Sequence, residues 1–354
     1  MLTDGLAWPR VAQRALARDG SANPVGKLAQ ARQKKHRVNI LPPAFRNFHH
    51  PKAMRPERPP TIDLAAAERW LHRPAPMSPW LHEEVARRME QRLAWIKLQP
   101  ARWAHWAPSR GGVQGHALLA QRYPSAECYV VEPTPAQALA TNQSMKKPWW
   151  NAARWVGKGA ITRFETPPPE SVQMLWANMA LHMAADPQTL ISTWHKALAV
   201  DGFLMFSCLG PDTLREIRTL YQRLGWPAPS HEFTDMHDWG DMLVAAGFAE
   251  PVLDMERIVL SFETPQRLLT ELRGLGRNLH PARFAGLRGR GWQQKLQHAL
   301  RDGLREGLGQ GLDAPLTLTF EVIYGHAFKP ARRLAVRPET SLSLGEMRKQ
   351  LNLR

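Results

Sequence analysis

Between residues 102 and 207, short apolar runs alternate with amphipathic stretches of helical period. That alternation restricts the chain to a mostly parallel sheet wrapped by helices on both faces. The spacing predicts strands over 102–106, 128–132, 160–164, 172–177 and 202–207. It predicts helices over 113–122, 135–145, 187–198, 211–224 and 236–246, the last ended by Gly247. Farther on, 252–262 and 316–328 read as two long strands separated by helical segments 265–275 and 292–308, a pattern that inserts an antiparallel strand beside parallel ones. Upstream, Thr61 is placed to cap a helix carrying Leu64, Ala67 and Leu71, and Ser78-Pro79 opens a second with Leu81, Val85, Met89, Leu93 and Ile96 on one face.

Composition narrows the class. The chain has 354 residues, 44% of them hydrophobic, which suffices for one large core and excludes fibrous and low-complexity classes. Cys128 and Cys208 form no disulfide framework and no metal-binding spacing, so a reducing cytoplasm is the simplest location and no metal is expected. Asp4, Pro9 and Arg10 interrupt the apolar run that a signal peptide needs, and no window approaches about 18 uninterrupted apolar residues. The net charge of +16 sits at the ends: residues 1–60 hold 12 Lys/Arg against 3 Asp/Glu, residues 331–354 hold 6 against 2, and the middle is near balance. Solvated basic tails explain this more simply than nucleic-acid binding, which stays open as a weaker reading. Residues 1–60, with eight prolines and a QKKHR run, read as a disordered extension with one short helix near 11–17. Residues 61–330 form the domain, with helical lid elements at 211–224 and 264–308, and 331–354 a basic tail.

In an open α/β sheet the ligand lies beyond the carboxyl ends of the strands. The first strand-to-helix loop here is APSRGGVQGHALL, where Gly111, Gly112 and Gly115 allow close backbone approach or serve turn geometry alone. Glu132 ends CYVVEP, 17 residues after Gly115, where a carboxylate accepts from the hydroxyls of a ribose. The fourth strand runs into Asn178 and His182, which face the cleft as cofactor or substrate ligand and as proton acceptor, or are structural. Packing is the default for Trp103, Trp106, Trp149, Trp150 and Trp155.

Four segments, LWANMALHM, FLMFSCLGPDTLREIR, HEFTDMHDWGDMLVAAGFAEPVLDMERIVLSF and LTLTFEVIYGHAFKP, closely resemble the BioC-type class I methyltransferases. That family methylates the free carboxylate of malonyl-acyl-carrier protein with S-adenosylmethionine at the start of biotin synthesis, and has mitochondrial relatives that help assemble respiratory complex I. The likeness spans roughly residues 80–330 and is strongest after Val172. It implies a Rossmann-like seven-stranded sheet of order 3-2-1-4-5-7-6 with an antiparallel last strand and a helical lid. It also implies S-adenosylmethionine as cofactor and an acyl-carrier protein as partner. Methyl transfer to a carboxylate is an in-line displacement by an oxygen already anionic, so it needs alignment and charge screening more than a base. Arg215, Arg273 and Arg277 are candidates for the malonyl carboxylate or the carrier's phosphopantetheine, with surface arginines as the alternative; Tyr324 and His326 line the cleft or pack on the last strand.

The sequence departs from the family in the cofactor segment. The first motif, an acid followed by three alternating glycines, becomes WAHWAPSRGGVQG; no Asp or Glu occurs between Glu90 and Glu127, and Arg110 stands inside the loop. A cation there is unfavourable beside a sulfonium unless it turns outward or toward the cofactor carboxylate. The usual S-V-D becomes Ser171-Val172-Gln173, and Glu165 alone stands near the adenine position. Two readings follow: a working methyltransferase, or a catalytically impaired methyltransferase-like binding or assembly factor.

Overall fold

The computed structural model of the chain describes residues 62–74, 77–145, 161–284, 286–306, 315–331 and 349. The expected extension over 1–60 with its helix near 11–17, most of the tail over 331–354, and Trp149, Trp150 and Trp155 lie outside the described residues.

The seven-stranded sheet comprises β1 (Arg102–Trp106), β2 (Glu127–Val131), β3 (Thr162–Arg163), β4 (Val172–Ala177), β5 (Leu198–Leu209), β6 (Ala249–Phe262) and β7 (Leu316–Phe328), in the order β3-β2-β1-β4-β5-β7-β6. The first five strands pair in parallel; β7 is antiparallel to both β5 and β6. Strand parity divides the core. Trp103, Cys128, Val130, Met174, Trp176, Phe203 and Met205 share one buried face, against Leu81, Val85, Met89 and Leu119. Ala104, Leu175, Ala177, Leu204 and Phe206 point to the other, against Ile191, Trp194, Trp239 and Leu243. With both faces covered, the central strands read as continuous apolar runs.

The helices are α1 (Leu64–Leu71), α2 (Trp80–Arg92), α3 (Pro108–Gly111), α4 (Val113–Arg122), α5 (Pro135–Met145), α6 (Pro187–Ala197), α7 (Arg215–Arg223), α8 (Met236–Ala245), α9 (Pro265–Leu275) and α10 (Arg290–Glu306). Gly247 follows α8 at φ +98, where a side chain would be strained and would also meet the His195 ring.

Several boundaries differ from expectation. Asp63 caps α1, its carboxylate accepting from Ala66 N at 2.7 Å. The strand predicted over 202–207 begins at Leu198, because Leu198 pairs with Val172 before a register shift, with Asp201 at φ +62, brings Phe203 opposite Met174. Pro211 opens a turn and not a helix: Leu214 sits at φ +57, and α7 starts only at Arg215.

Candidate cofactor and acceptor site

A cavity of about 660 Å³ opens beyond the carboxyl ends of β1, β2 and β4, bordered by Ala107, Glu132 and Asn178 from those strand ends. The β1–α3 turn is built on Ala107, left-handed at φ +49, whose N–H donates to Val131 O at 2.7 Å. Of the alternate positions His105, Ala107, Ser109 and Gly111 through this turn, only the last is glycine. Gly111 borders the cavity, and a Cβ on it would stand 2.5 Å from Asn178 O. Gly112 and Gly115 do not line the cavity. A Cβ on Gly112, at φ +121, would meet the Glu83 carboxylate, and one on Gly115 would meet Ala86, so both let α4 seat against α2. Glu83, outside the cavity lining, accepts from the N–H groups of Gln114 and Gly115 at the N-terminus of α4.

Glu132 sits one residue past β2 in the cavity wall. It accepts from Ser109 N (2.8 Å), Ser109 Oγ (2.8 Å) and Thr141 Oγ1 (2.7 Å). A carboxylate has about four acceptor sites, so roughly one remains for a ligand hydroxyl, where the sequence suggested both. Burial pushes its carboxyl pKa up, opposed by these donors and by Arg110.

Asn178 is fully buried and also ties elements together. Its Nδ2 donates to His82 O at 2.8 Å and to Gly111 O, and its Oδ1 accepts from Ser207 Oγ at 2.6 Å. The α2 start, the β1–α3 turn and β5 are thereby fixed to one side chain.

Two cavity-wall groups keep an unused polar atom. His82, which the sequence did not single out, donates from Nδ1 to Arg110 O at 2.8 Å, and burial pulls its pKa down to about 4. The neutral ring therefore carries its proton on Nδ1, and Nε2 is a buried acceptor without a partner among the described residues. Arg110 turns across the wall toward α1: its Nη2 donates to Trp70 O and Arg73 O, both at 2.6 Å, and its guanidinium lies 3.9 Å over the Trp70 ring. Burial lowers its pKa to about 10, so it stays charged at neutral pH. Its Nε–H is buried and unpaired among the described residues. The loop cation is thus held by backbone carbonyls and an aromatic face, with its buried Nε–H left over.

The remaining candidates separate. Arg273 and Arg277 line this cavity from the end of α9 and the residues after it, and also a second cavity of about 230 Å³ that shares Met183 and Leu275 with the first. His182 lies in the second cavity, buried, with burial pushing its pKa well down. Arg215 lines neither: half exposed, it is ion-paired with Asp212 (3.9 Å) and Glu216 (3.4 Å) at the start of α7. Tyr324 is buried away from both, under Arg92 at 3.6 Å with its hydroxyl 3.4 Å from Glu256. His326 packs between Phe203 and Phe328. Glu165 is exposed beside Arg163, and Gln173 accepts from Arg102 N, neither in the cavity.

Helix α1 closes one side, held where Asp63 N donates to Leu279 O and Asp63 pairs with Arg283, both at 2.9 Å. Among the described residues no His, Cys, Asp or Glu group is arranged to hold a metal ion, and no helix is long and apolar enough to cross a membrane.

No protein-family model matches the chain. A malonyl-[acyl-carrier protein] O-methyltransferase of Gallionella capsiferriformans is 36% identical over 260 residues, covering 72% of this chain and 86% of its own length. One from Laribacter hongkongensis is 36% identical over 259 residues, covering 72% and 84%. Among solved structures, a putative methyltransferase from Bacillus halodurans aligns with 70% of this chain and 100% of its own, at 13% identity and a TM-score of 0.47. With a sheet of this strand order and relatives at this identity over most of both chains, the protein belongs to the malonyl-[acyl-carrier protein] O-methyltransferase family of class I methyltransferases.

Proposed function

We propose that the protein transfers a methyl group from S-adenosylmethionine to the free carboxylate of malonyl-acyl-carrier protein in the cytoplasm, as a step of biotin synthesis. Residues 61–330 are the catalytic domain and the end of α9 is part of its lid.

The observation that carries this reading is a pair of buried, orphaned atoms on residues that line the main cavity, the acceptor His82 Nε2 and the donor Arg110 Nε. They are complementary to an α-amino-acid headgroup: His82 accepts from an ammonium and Arg110 donates to a carboxylate. His82 thereby does what the absent motif acid does elsewhere in the family, so the loss of that acid gives no support to an impaired protein. Glu132 has an acceptor site left for one ribose hydroxyl. When bound, the cofactor supplies an electrophilic methyl group.

The chain's own residues align and screen. Arg273 and Arg277, shared by both cavities, hold the acceptor carboxylate beside the cofactor cavity. Met183 and Leu275 give the junction apolar walls. A carboxylate is already a nucleophile at neutral pH, so no general base is needed, and His182, neutral and outside the main cavity, has no proton to abstract.

Calorimetric titration with S-adenosylhomocysteine tests the cofactor half, with binding near micromolar expected, about −8 kcal/mol. His82→Phe should weaken S-adenosylhomocysteine and leave methylthioadenosine, which lacks the amino-acid headgroup, bound as in the parent. No heat at millimolar ligand refutes the cofactor reading. Binding without methyl transfer to malonyl-acyl-carrier protein refutes the acceptor.

A further inference from the structure

The second cavity is lined by residues carrying buried polar atoms that no described residue satisfies. Its walls are mostly apolar, from Leu209, Leu214, Phe233, Leu269, Leu272 and Phe320. Within them His182 Nδ1, Ser230 Oγ and His231 Nδ1 are buried with no hydrogen-bond partner among the described residues. All three side chains are at least nine-tenths buried, with exposures of 5%, 9% and 3%. A buried polar atom left unpaired costs about 1–3 kcal/mol, so the two on the adjacent residues Ser230 and His231 point to a ligand that pairs them.

The chemistry of that ligand follows from His231. Its Nε2 stands 3.0 Å from His182 O, and a carbonyl can only accept, so Nε2 carries the proton. Burial also lowers the pKa of this ring, which keeps it neutral. His231 Nδ1 is therefore an acceptor and needs an N–H or O–H from the occupant. A malonyl thioester offers none: its carboxylate and carbonyl oxygens only accept. The next polar group along a carrier's prosthetic arm, past the sulfur and a short methylene link, is a secondary amide with both a donor and an acceptor. The cavity meets the cofactor cavity at Met183, Arg273, Leu275 and Arg277, so an acyl chain whose carboxylate lies at that junction has its thioester end in the second cavity.

We infer that the second cavity is the seat of the acceptor's thioester arm, in which His231 Nδ1 accepts the first amide N–H of that arm and Ser230 Oγ pairs with its neighbouring oxygen. This rests on the acceptor reading above. It makes His231 a specificity residue for pantetheine-type thioesters over simple alkyl ones.

The test is equilibrium binding to protein saturated with S-adenosylhomocysteine, where no transfer occurs. Two probes are compared, the malonyl thioester of N-acetylcysteamine and its isostere in which the amide N–H is replaced by an ester oxygen. The amide probe should bind about tenfold or more tightly, because the isostere leaves a buried acceptor unpaired. In His231→Phe that ratio should fall toward one, with S-adenosylhomocysteine affinity checking that the variant is folded. Equal binding of the two probes by the parent protein overturns the assignment without needing any variant, and so does a ratio that survives His231→Phe. Methyl transfer to malonyl-acyl-carrier protein with no probe discrimination refutes this inference alone. No methyl transfer and no binding of either probe, in a protein that binds S-adenosylhomocysteine, refutes the acceptor reading and this inference with it.

Discussion

Acid should loosen this protein through its buried histidines, and His82 allows the effect to be isolated. The residue is 3% exposed, and burial holds its pKa at about 4 against an ordinary 6.5. As pH falls below about 6.5 the unfolded chain takes up a proton that the folded chain refuses until about pH 4. The stability held by the neutral ring is therefore intact above that upper value and is lost as pH falls through the window. Between pH 7 and pH 5 the loss for His82 alone is about 2 kcal/mol. Burial also pushes His105, His116, His182 and His231 down, so the whole protein loses more. Against a typical total of about 5–15 kcal/mol, this is a large fraction. Urea unfolding at the two pH values, followed by tryptophan fluorescence, measures it. His82→Gln retains a donor for Arg110 O but has no proton to gain, so its stability should change less between pH 7 and pH 5 by about 2 kcal/mol. An identical pH dependence in parent and variant would refute the neutral buried ring, and with it the unprotonated Nε2 offered to the cofactor.

Asn178→Ala removes the donor to two carbonyls and the acceptor for Ser207, and should lower stability by about 2 kcal/mol or more in denaturant titration while weakening S-adenosylhomocysteine. Gly111→Ala brings a Cβ within 2.5 Å of a backbone oxygen and should cost about 1–3 kcal/mol, with a matching fall in melting temperature. Glu132→Gln keeps the shape but loses the charge that Ser109 and Thr141 donate to; calorimetry should show S-adenosylhomocysteine and methylthioadenosine weakened alike, because both carry the ribose. Arg215→Ala should change stability by less than about 1 kcal/mol and leave S-adenosylhomocysteine affinity unaltered, since its pairs are at the surface and outside both cavities.

Element positions were legible because they depend on local periodicity. Strands β1, β4 and β7 and helices α4, α5 and α9 fall on the predicted residues, each marked by an apolar run or a helical stripe bounded by proline, glycine or a capping group. Errors fell where pairing overrides local preference, as at the start of β5, where Val172 across the sheet makes Leu198 a strand residue. That Glu132, Asn178 and Gly111 border one cavity was also readable, because topology sends the ends of β1, β2 and β4 to one place.

The amino-acid order by itself determined the layer architecture and the strand ends that frame the cavity. Tertiary structure alone decided which polar atoms there remain free. His82 reaches Arg110 across 28 positions, and Arg110 finds its carbonyls on Trp70 and Arg73, 40 and 37 positions away. Glu83 reaches the first amides of α4, on Gln114 and Gly115, across 31 and 32 positions. Tyr324 on β7, which the sequence left free to line the cleft or to pack, packs beneath Arg92. Periodicity specifies which face of an element is buried; the partner of a buried donor or acceptor is specified only when distant elements pack, because a hydrogen bond is set by distance and direction within an ångström or so.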